Sequence, residues 1–236
     1  MRLPRIHPEP DGRMRPLREF VETLGYVRTR PGIVTAVATV SLIGFFGLAS
    51  QMMSVVMAEE VFDRGAGGFG EMLSAVGLGA ILASPVVAQL ARRHRRSTIQ
   101  QVALVVYGGG ILLMALAPGF RVAQLGMFVL GAAHLTSAST LNTAIQLQVD
   151  EEVRAKVLSL YLTVLLLANP VGQLAFGQVL EVWGPRETFA AAGAMFMVVA
   201  LVLLVSGRLA GLDTSVGTYE PAAAAEAHPS TPAPPR

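Results

Sequence analysis

The sequence contains no cysteine and few charged side chains. Among 236 residues, 14% are charged, whereas 53% are hydrophobic. Without cysteine the chain forms no disulfides and no thiolate metal sites. A soluble domain carries about a quarter charged residues, so this composition favours a lipid bilayer as the main solvent.

Sequence motifs of catalysis and nucleotide binding are absent as well. We find no HExxH, no Gly-x-Ser-x-Gly, no Walker loop and no Cys/His cluster. The pair Gly77-x-Gly79 lies inside an apolar run with no strand before it, which excludes a dinucleotide loop there. We therefore expect no enzyme, no cofactor, no bound metal and no direct use of ATP. A catalytic site assembled from separated residues is the less favoured alternative.

Six long apolar runs dominate the sequence, at residues 33–56, 69–90, 99–117, 122–147, 157–180 and 188–206. A helix needs about 20 residues to cross the hydrocarbon core. The backbone must satisfy its own hydrogen bonds there, so the runs are predicted to be helices. The sequence therefore predicts an all-α integral membrane domain of six transmembrane helices over residues 31–206.

Basic residues alternate between the connecting segments. The two ends, loop 91–98 and loop 148–156 contain fifteen Lys and Arg, and the other three loops contain only Arg64, Arg121 and Arg186. Under the positive-inside rule, both termini are cytoplasmic. The run Arg92–Arg96 is then a topology signal that also touches anionic lipid, and nucleic-acid binding is not expected. We predict a multi-pass protein of the cytoplasmic (inner) membrane of a bacterium.

The two ends of the chain are predicted to lie outside the bilayer. Within the cytoplasmic segment 1–30, apolar residues of 16–28 fall on one helical face, which is typical of a helix lying in the interface. The alternative is that 16–28 extends the first spanning helix. Residues 207–236 are rich in Pro and Ala, which predicts a disordered cytoplasmic tail.

A short charged hairpin separates the fourth and fifth runs. Asp150 is placed to cap the fifth helix, and Glu151 follows in its first turn, where the helix dipole favours anions. Arg154 and Lys156 come next at the level of the lipid headgroups. We expect these two cations to hold the hairpin at the membrane surface, with the two carboxylates as their partners.

The order of residues in this hairpin has a known counterpart. The pattern D-E-x-x-R-x-K-V-x-S-L-Y from Asp150 to Tyr161 resembles the loop between the fourth and fifth helices of a half in the major facilitator superfamily. Together with Tyr26–Gly32 and Gly68–Ser84, it is similar to the carboxy-terminal half in the branch that contains the bacterial enterobactin exporter. The resemblance covers residues 16–206.

The second loop departs from that family. The superfamily motif is approximately Asp-Arg-x-Gly-Arg, whereas this chain has Arg92, Arg93, His94, Arg95 and Arg96. The carboxylate that would act as a conformational latch is missing. Arg93 and Arg96 could instead meet Asp150, Glu151 or Glu152 across the cytoplasmic face.

The resemblance implies that the six helices form one half of a major-facilitator-type bundle, built as a 3+3 repeat. Such transporters place a small-molecule substrate between two halves and rock one half against the other. The second half would come from a second copy, as a homodimer, or from a separate amino-terminal six-helix half. The alternatives are a non-transporting membrane partner or scaffold and an inactive truncated fragment of a transporter.

The resemblance also implies that the first and fourth helices line the substrate cavity. The polar candidates on them are Gln51, Ser54, His134, Ser139, Asn142, Thr143 and Gln146. Each could equally make hydrogen bonds between helices, and His134 could be a proton carrier or a neutral histidine bonded to a carbonyl. The family suggests proton-driven efflux of a small amphipathic molecule such as a siderophore or a drug.

Two prolines lie inside the apolar runs. Proline removes a backbone donor and crowds the preceding turn. Pro85 and Pro170 are therefore expected to bend the second and fifth helices.

The charge pattern gives a testable topology. Reporter domains fused after residue 97 and at the C-terminus should be cytoplasmic, and those fused near residues 65, 120 and 185 should be external. Activity of paired reporters, each active on one side of the membrane only, measures this. A cytoplasmic reporter at residue 120 would contradict six spans.

Overall fold

The computed structural model describes residues 16–215, with side chains described from residue 21 onward. It consists of an initial helix, six long helices and a final 3₁₀ turn. These are α1 (Pro16–Arg28), α2 (Pro31–Val61), α3 (Gly65–Arg93), α4 (Arg96–Ala115), α5 (Phe120–Gln148), α6 (Glu151–Trp183), α7 (Pro185–Val205) and the 3₁₀ turn Arg208–Asp213. The predicted six spanning helices are confirmed, and each of α2–α7 is long and apolar enough to cross a membrane.

The observed bounds differ from the predicted ones, and two of the differences concern the charged hairpin and the tail. Helix α6 begins at Glu151, six residues before the apolar run, because the charged residues form its first turns. The predicted disordered tail starts too early, since Leu209 and Leu212 are fully buried in the 3₁₀ turn. Helix α1 ends at Arg28, so it does not continue into α2. Residues 1–15 and 216–236 of the two predicted end segments lie outside the described residues.

The spanning helices pack in two related sets. Helix α5 packs along α3 and α4, α2 packs along α6, and α4 packs along α7. If α2–α4 are exchanged with α5–α7, the pair α3–α5 becomes the pair α6–α2. These two crossings are therefore equivalent under a 3+3 repeat.

Glycines occupy both of these equivalent crossings. Where α3 crosses α5, a Cβ at Gly79 would strike the carbonyl oxygen of Phe128, and a Cβ at Gly131 would strike that of Val76. Each helix contributes one glycine to the crossing. The two backbones therefore touch directly.

The crossing of α2 and α6 is built in the same way. A Cβ at Gly172 would strike the carbonyl oxygen of Phe45, and one at Gly44 would come within 2.8 Å of the carbonyl oxygen of Leu165. Gly44 lies in a π-helical segment of α2, Ile43–Leu48. Since lipid tails are as apolar as leucine, helices in a bilayer associate through such close packing of small residues.

We expect glycine-to-alanine substitutions to change stability differently inside and outside the crossings. Gly131→Ala should lower the free energy of unfolding in detergent by about 1–3 kcal/mol, because the new methyl group overpacks a backbone contact. Gly77 is the matched control, since nothing lies within 4 Å of a Cβ there. Gly77→Ala should be neutral or stabilising by up to about 1 kcal/mol. Denaturant titration followed by circular dichroism measures both, and equal effects would contradict the packing.

Candidate functional site

Polar side chains form a stripe along one half of α5. The predicted topology places this half of the helix on the cytoplasmic side. Ser139, Thr143 and Gln146 are exposed on one face of this helix, and Asn142 beside them is half-buried. The Nε2 of Gln146 donates a hydrogen bond to Oδ1 of Asn142. We call these four residues the polar stripe. It matches the predicted polar face of the fourth spanning helix, and it is open in the described part of the chain.

The polar residues of α2 lie elsewhere. Gln51 and Ser54 are buried in the interior of the bundle, and Gln51 donates to the hydroxyl of Tyr107 on α4 at 3.2 Å. Ser54 donates to the carbonyl oxygen of Gln51 at 2.7 Å. The expectation that these two residues form an open wall therefore differs from the structure. The reason is that the Tyr107 ring packs against Gly47 and closes this face of α2.

His134 belongs to the same buried cluster. Its Nδ1 lies 3.3 Å from the hydroxyl oxygen of Tyr107, whose ring stacks on Phe196 with centroids 5.2 Å apart. The cluster of Gln51, Tyr107 and His134 thus connects α2, α4 and α5. The sequence reasoning missed Tyr107. A hydroxyl on a ring inside an apolar run was the available signal, because a buried tyrosine hydroxyl usually finds a partner.

A second polar pair also escaped the sequence analysis. Gln100 on α4 is fully buried and donates from Nε2 to Oγ of Ser137 on α5 at 3.1 Å. The Oε1 of Gln100 has no hydrogen-bond partner among the described residues. The pair adds a polar contact to the glycine-rich interface of α4 and α5.

Asp150 takes the N-cap position of α6 but does not cap it. Its side chain makes no capping hydrogen bond. Its carboxylate instead accepts from Arg30 at 3.3 Å and from the hydroxyl of Tyr26 at 3.2 Å. Burial raises the pKa of this tyrosine, so the hydroxyl keeps its proton at neutral pH. The predicted cap is replaced by a contact to the segment before α2. The pairing of Asp150 with Arg154 and Lys156 stays a prediction.

Arg30 anchors that contact. Its Nη1 donates to the carbonyl oxygen of Gln148 at 2.9 Å, and its guanidinium lies over the Tyr26 ring, 5.0 Å from the centroid. Arg30 thus donates to a carbonyl near the end of α5 and also binds Asp150, the residue directly before α6. The hairpin is held to the chain that precedes α2.

The other charged residues of the hairpin have different surroundings. Glu151 and Lys156 are exposed, whereas Arg154 is half-buried. The Nε of Arg154 is buried without a hydrogen-bond partner among the described residues.

The second loop does not reach the hairpin through Arg96. This arginine donates to the carbonyl oxygens of Leu212 and Asp213 at 2.9 and 3.0 Å. The Asp213 carboxylate in turn accepts from the backbone N–H and the hydroxyl of Ser97 at 3.0 and 2.5 Å. The start of α4 is therefore joined to the 3₁₀ turn after α7, and the predicted contact of Arg96 with Asp150 or Glu151 is replaced. Arg92 and Arg93 are exposed.

Two further predictions concern metal sites and helix bends. Within the described residues, no group of three or more His, Asp and Glu could hold a metal ion. Pro85 and Pro170 lie inside α3 and α6, which continue through them as single helices. The bends at these prolines stay a prediction.

Substitutions at Arg30 and Asp150 test what holds the hairpin to the segment before α2. Arg30→Gln should lower the free energy of unfolding by about 2 kcal/mol, because a charge-assisted bond to a partly buried carbonyl is lost. Asp150→Asn should cost less than about 1 kcal/mol, since the carboxylate is half-exposed. Arg28→Gln is the exposed control and should have no effect. An equal loss at positions 30 and 150 would show that the ion pair, not the carbonyl contact, dominates.

Comparison with known proteins places these features in a family. Residues 11–225 match the family model described as transmembrane secretion effector, a group of the major facilitator superfamily. Among curated proteins, no sequence matches the chain.

Two solved transporters have a similar fold. A peptide transporter POT in complex with alafosfalin is 19% identical, with 82% of this chain and 43% of that chain covered and a TM-score of 0.59. A bacterial homolog of the human lysosomal transporter Spinster, inward-facing and unoccupied, is 17% identical, with 93% and 56% covered and a TM-score of 0.50.

The chain spans about half the length of these two transporters. The family match, by contrast, extends over most of its 236 residues. With six spanning helices and this fold, the chain is a multi-pass membrane protein that belongs to the transmembrane secretion effector family of the major facilitator superfamily.

Proposed function

We propose that these six helices form one half of an exporter, with the polar stripe of α5 as this half's wall of the substrate path. The observation that carries the proposal is the open polar stripe in a chain of this family. A polar face in a membrane helix is costly unless it is paired or wet. Ser139 and Thr143 have no hydrogen bond that joins them to another helix among the described contacts, so a water-filled path would satisfy them.

The second half packs on α3 and α6 in this proposal. These are the two least buried of the six spanning helices. They expose large apolar side chains, among them Leu78 and Ile81 on α3 and Leu166, Leu167 and Leu174 on α6. They also occupy equivalent positions in the repeat. A second copy of this chain or a separate six-helix half, both within the cytoplasmic membrane, would supply the partner surface.

The substrate that fits such a path is a small amphipathic molecule. Polar groups would meet the stripe and an apolar body would meet the surrounding aliphatic side chains. Siderophores and drug-like compounds, which the enterobactin-exporter branch suggests, have this character. Transport of such molecules against their own gradient, without a nucleotide, would use an ion gradient as the energy source.

His134 is proposed as the proton carrier. It lies fourteen residues from either end of α5, whereas the Asp, Glu, Lys and Arg residues of α2–α7 are within seven residues of a helix end. Its contact with Tyr107 joins it to Gln51 on α2. Protonation would change this contact and so bias the packing of α5 against α2 and α4.

An efflux assay tests the function. Vesicles would contain the chain alone or together with a six-helix half encoded beside it, and a fluorescent amphipathic dye would report export. We expect transport only with both halves or with a dimer of this chain. Asn142→Leu with Gln146→Leu should slow it by about tenfold, because two polar contacts to the substrate are lost. Ser206→Leu, an exposed polar position directly after α7 and outside the stripe, is the control. Efflux unaffected by the stripe variant would remove the stripe from the substrate path. Efflux absent in every combination would favour a scaffold or an inactive fragment.

His134→Gln separates coupling from transport. We expect the variant to lose dye accumulation driven by a pH gradient, because glutamine carries no proton. Exchange of dye down its own gradient should continue, since the stripe is unchanged. Both rates are measured in the same vesicles. Full proton-driven accumulation in the variant would remove His134 from the mechanism.

A further inference from the structure

An apolar groove lies between α3, α4 and α5, apart from the buried polar cluster. Its volume is about 440 Å³. Its walls are apolar, and the side chains that shape it are Leu82, Val86 and Leu90 of α3, Val102 and Val106 of α4, and Phe128 of α5. The groove includes no Asp, Glu or Lys. Its occupant must therefore be apolar along most of its length.

The length of the groove matches one leaflet of a bilayer. On α3 it extends from Gly79 to His94, which at 1.5 Å per residue is about 22 Å. One leaflet, with its headgroup region, is half of a bilayer about 40–45 Å thick, or about 20–22 Å. The groove therefore runs from the middle of the membrane to the headgroup level on the arginine-rich face. His94 and Thr98 form its polar end there.

Three arginines flank His94 of that polar end in the sequence. Arg92 and Arg93 end α3, Arg95 precedes α4, and all three are exposed. Among the described residues, they form no ion pair with a carboxylate. Arg96 is different, because its guanidinium is bonded to the carbonyl oxygens after α7. Three cations are thus left to meet an anion beside the groove.

We propose that this groove binds an anionic phospholipid. One acyl chain lies between α3 and α4 on the floor formed by α5, and the phosphate meets Arg92, Arg93 and Arg95. The occupant must be thin, since a helix of the same length and about 10 Å diameter would fill several times 440 Å³. Anionic lipids are attracted to basic clusters at the membrane surface. This site is independent of the proposed transport function.

Lipid-specific fluorescence quenching tests the site. Trp183, the single tryptophan, is replaced by Phe, and a new tryptophan is placed in the groove by Val102→Trp. The matched control is Leu201→Trp on α7. Val102 and Leu201 are 59% and 58% exposed, and each is seven residues from an arginine, Arg95 and Arg208. Vesicles contain equal amounts of phosphatidylglycerol and phosphatidylcholine, with one of the two brominated.

The proposal predicts a preference confined to the groove. The association constant of phosphatidylglycerol relative to that of phosphatidylcholine should be about five or more at Val102→Trp. It should be about one at Leu201→Trp. Replacing Arg92, Arg93 and Arg95 by Gln should remove the preference, and replacing them by Lys should keep it. Quenching at the Leu201→Trp position shows that each variant is inserted.

Three results would overturn the proposal. Equal preference at the two positions would mean ordinary annular lipid only. A preference that survives the three glutamine substitutions would exclude the arginines as the headgroup site. Absence of quenching by either lipid at Val102→Trp, with normal quenching at Leu201→Trp, would show that protein covers the groove.

Discussion

The fold depends on direct backbone contact between helices at two equivalent crossings. In a bilayer no hydrophobic force draws helices together, so close packing of small residues must hold them. Gly79 and Gly131 allow this between α3 and α5, and Gly44 and Gly172 allow it between α2 and α6. Each crossing joins one helix of the first three to one of the last three. The two halves of the 3+3 repeat are thereby fixed to each other without long side chains between them.

Because the helices meet at these crossings, α3 and α6 bury few of their residues. Helix α5 keeps a polar face that no described helix covers. Inside the bundle, the Tyr107 ring fills the space beside Gly47, and its hydroxyl contacts Gln51 and His134. A tightly joined bundle with an open polar face is the form expected of one half of a transporter, because the substrate path lies between rigid halves. The membrane-surface contacts of Arg30 and Arg96 join the hairpin and the final turn to that bundle.

The sequence predicted the six spanning helices because twenty apolar residues have few other structures available to them in lipid. The family resemblance implied polar cavity residues on α5, and Ser139, Thr143 and Gln146 are exposed there. The sequence did not predict which side chains from distant segments form hydrogen bonds with each other. Gln51 looked like a cavity residue because its own helix says nothing of Tyr107, which is 56 positions away. Asp150 was assigned to a cap, since Arg30 is 120 positions away and N-cap chemistry is local. Local patterns fix the helices, whereas packing between distant segments decides which polar groups remain open.

The central claim is that the polar stripe of α5 faces water and not lipid. The chain has no cysteine, so single cysteines at Ser139, Thr143 and Gln146 can be labelled without further changes. With the protein in its membrane, a water-soluble maleimide applied from the cytoplasmic side should label all three, while a cysteine at the exposed apolar residue Val198 should stay unlabelled. If the three stripe cysteines react only with a lipid-soluble reagent, as the one at Val198 should, the stripe faces lipid and the account is contradicted.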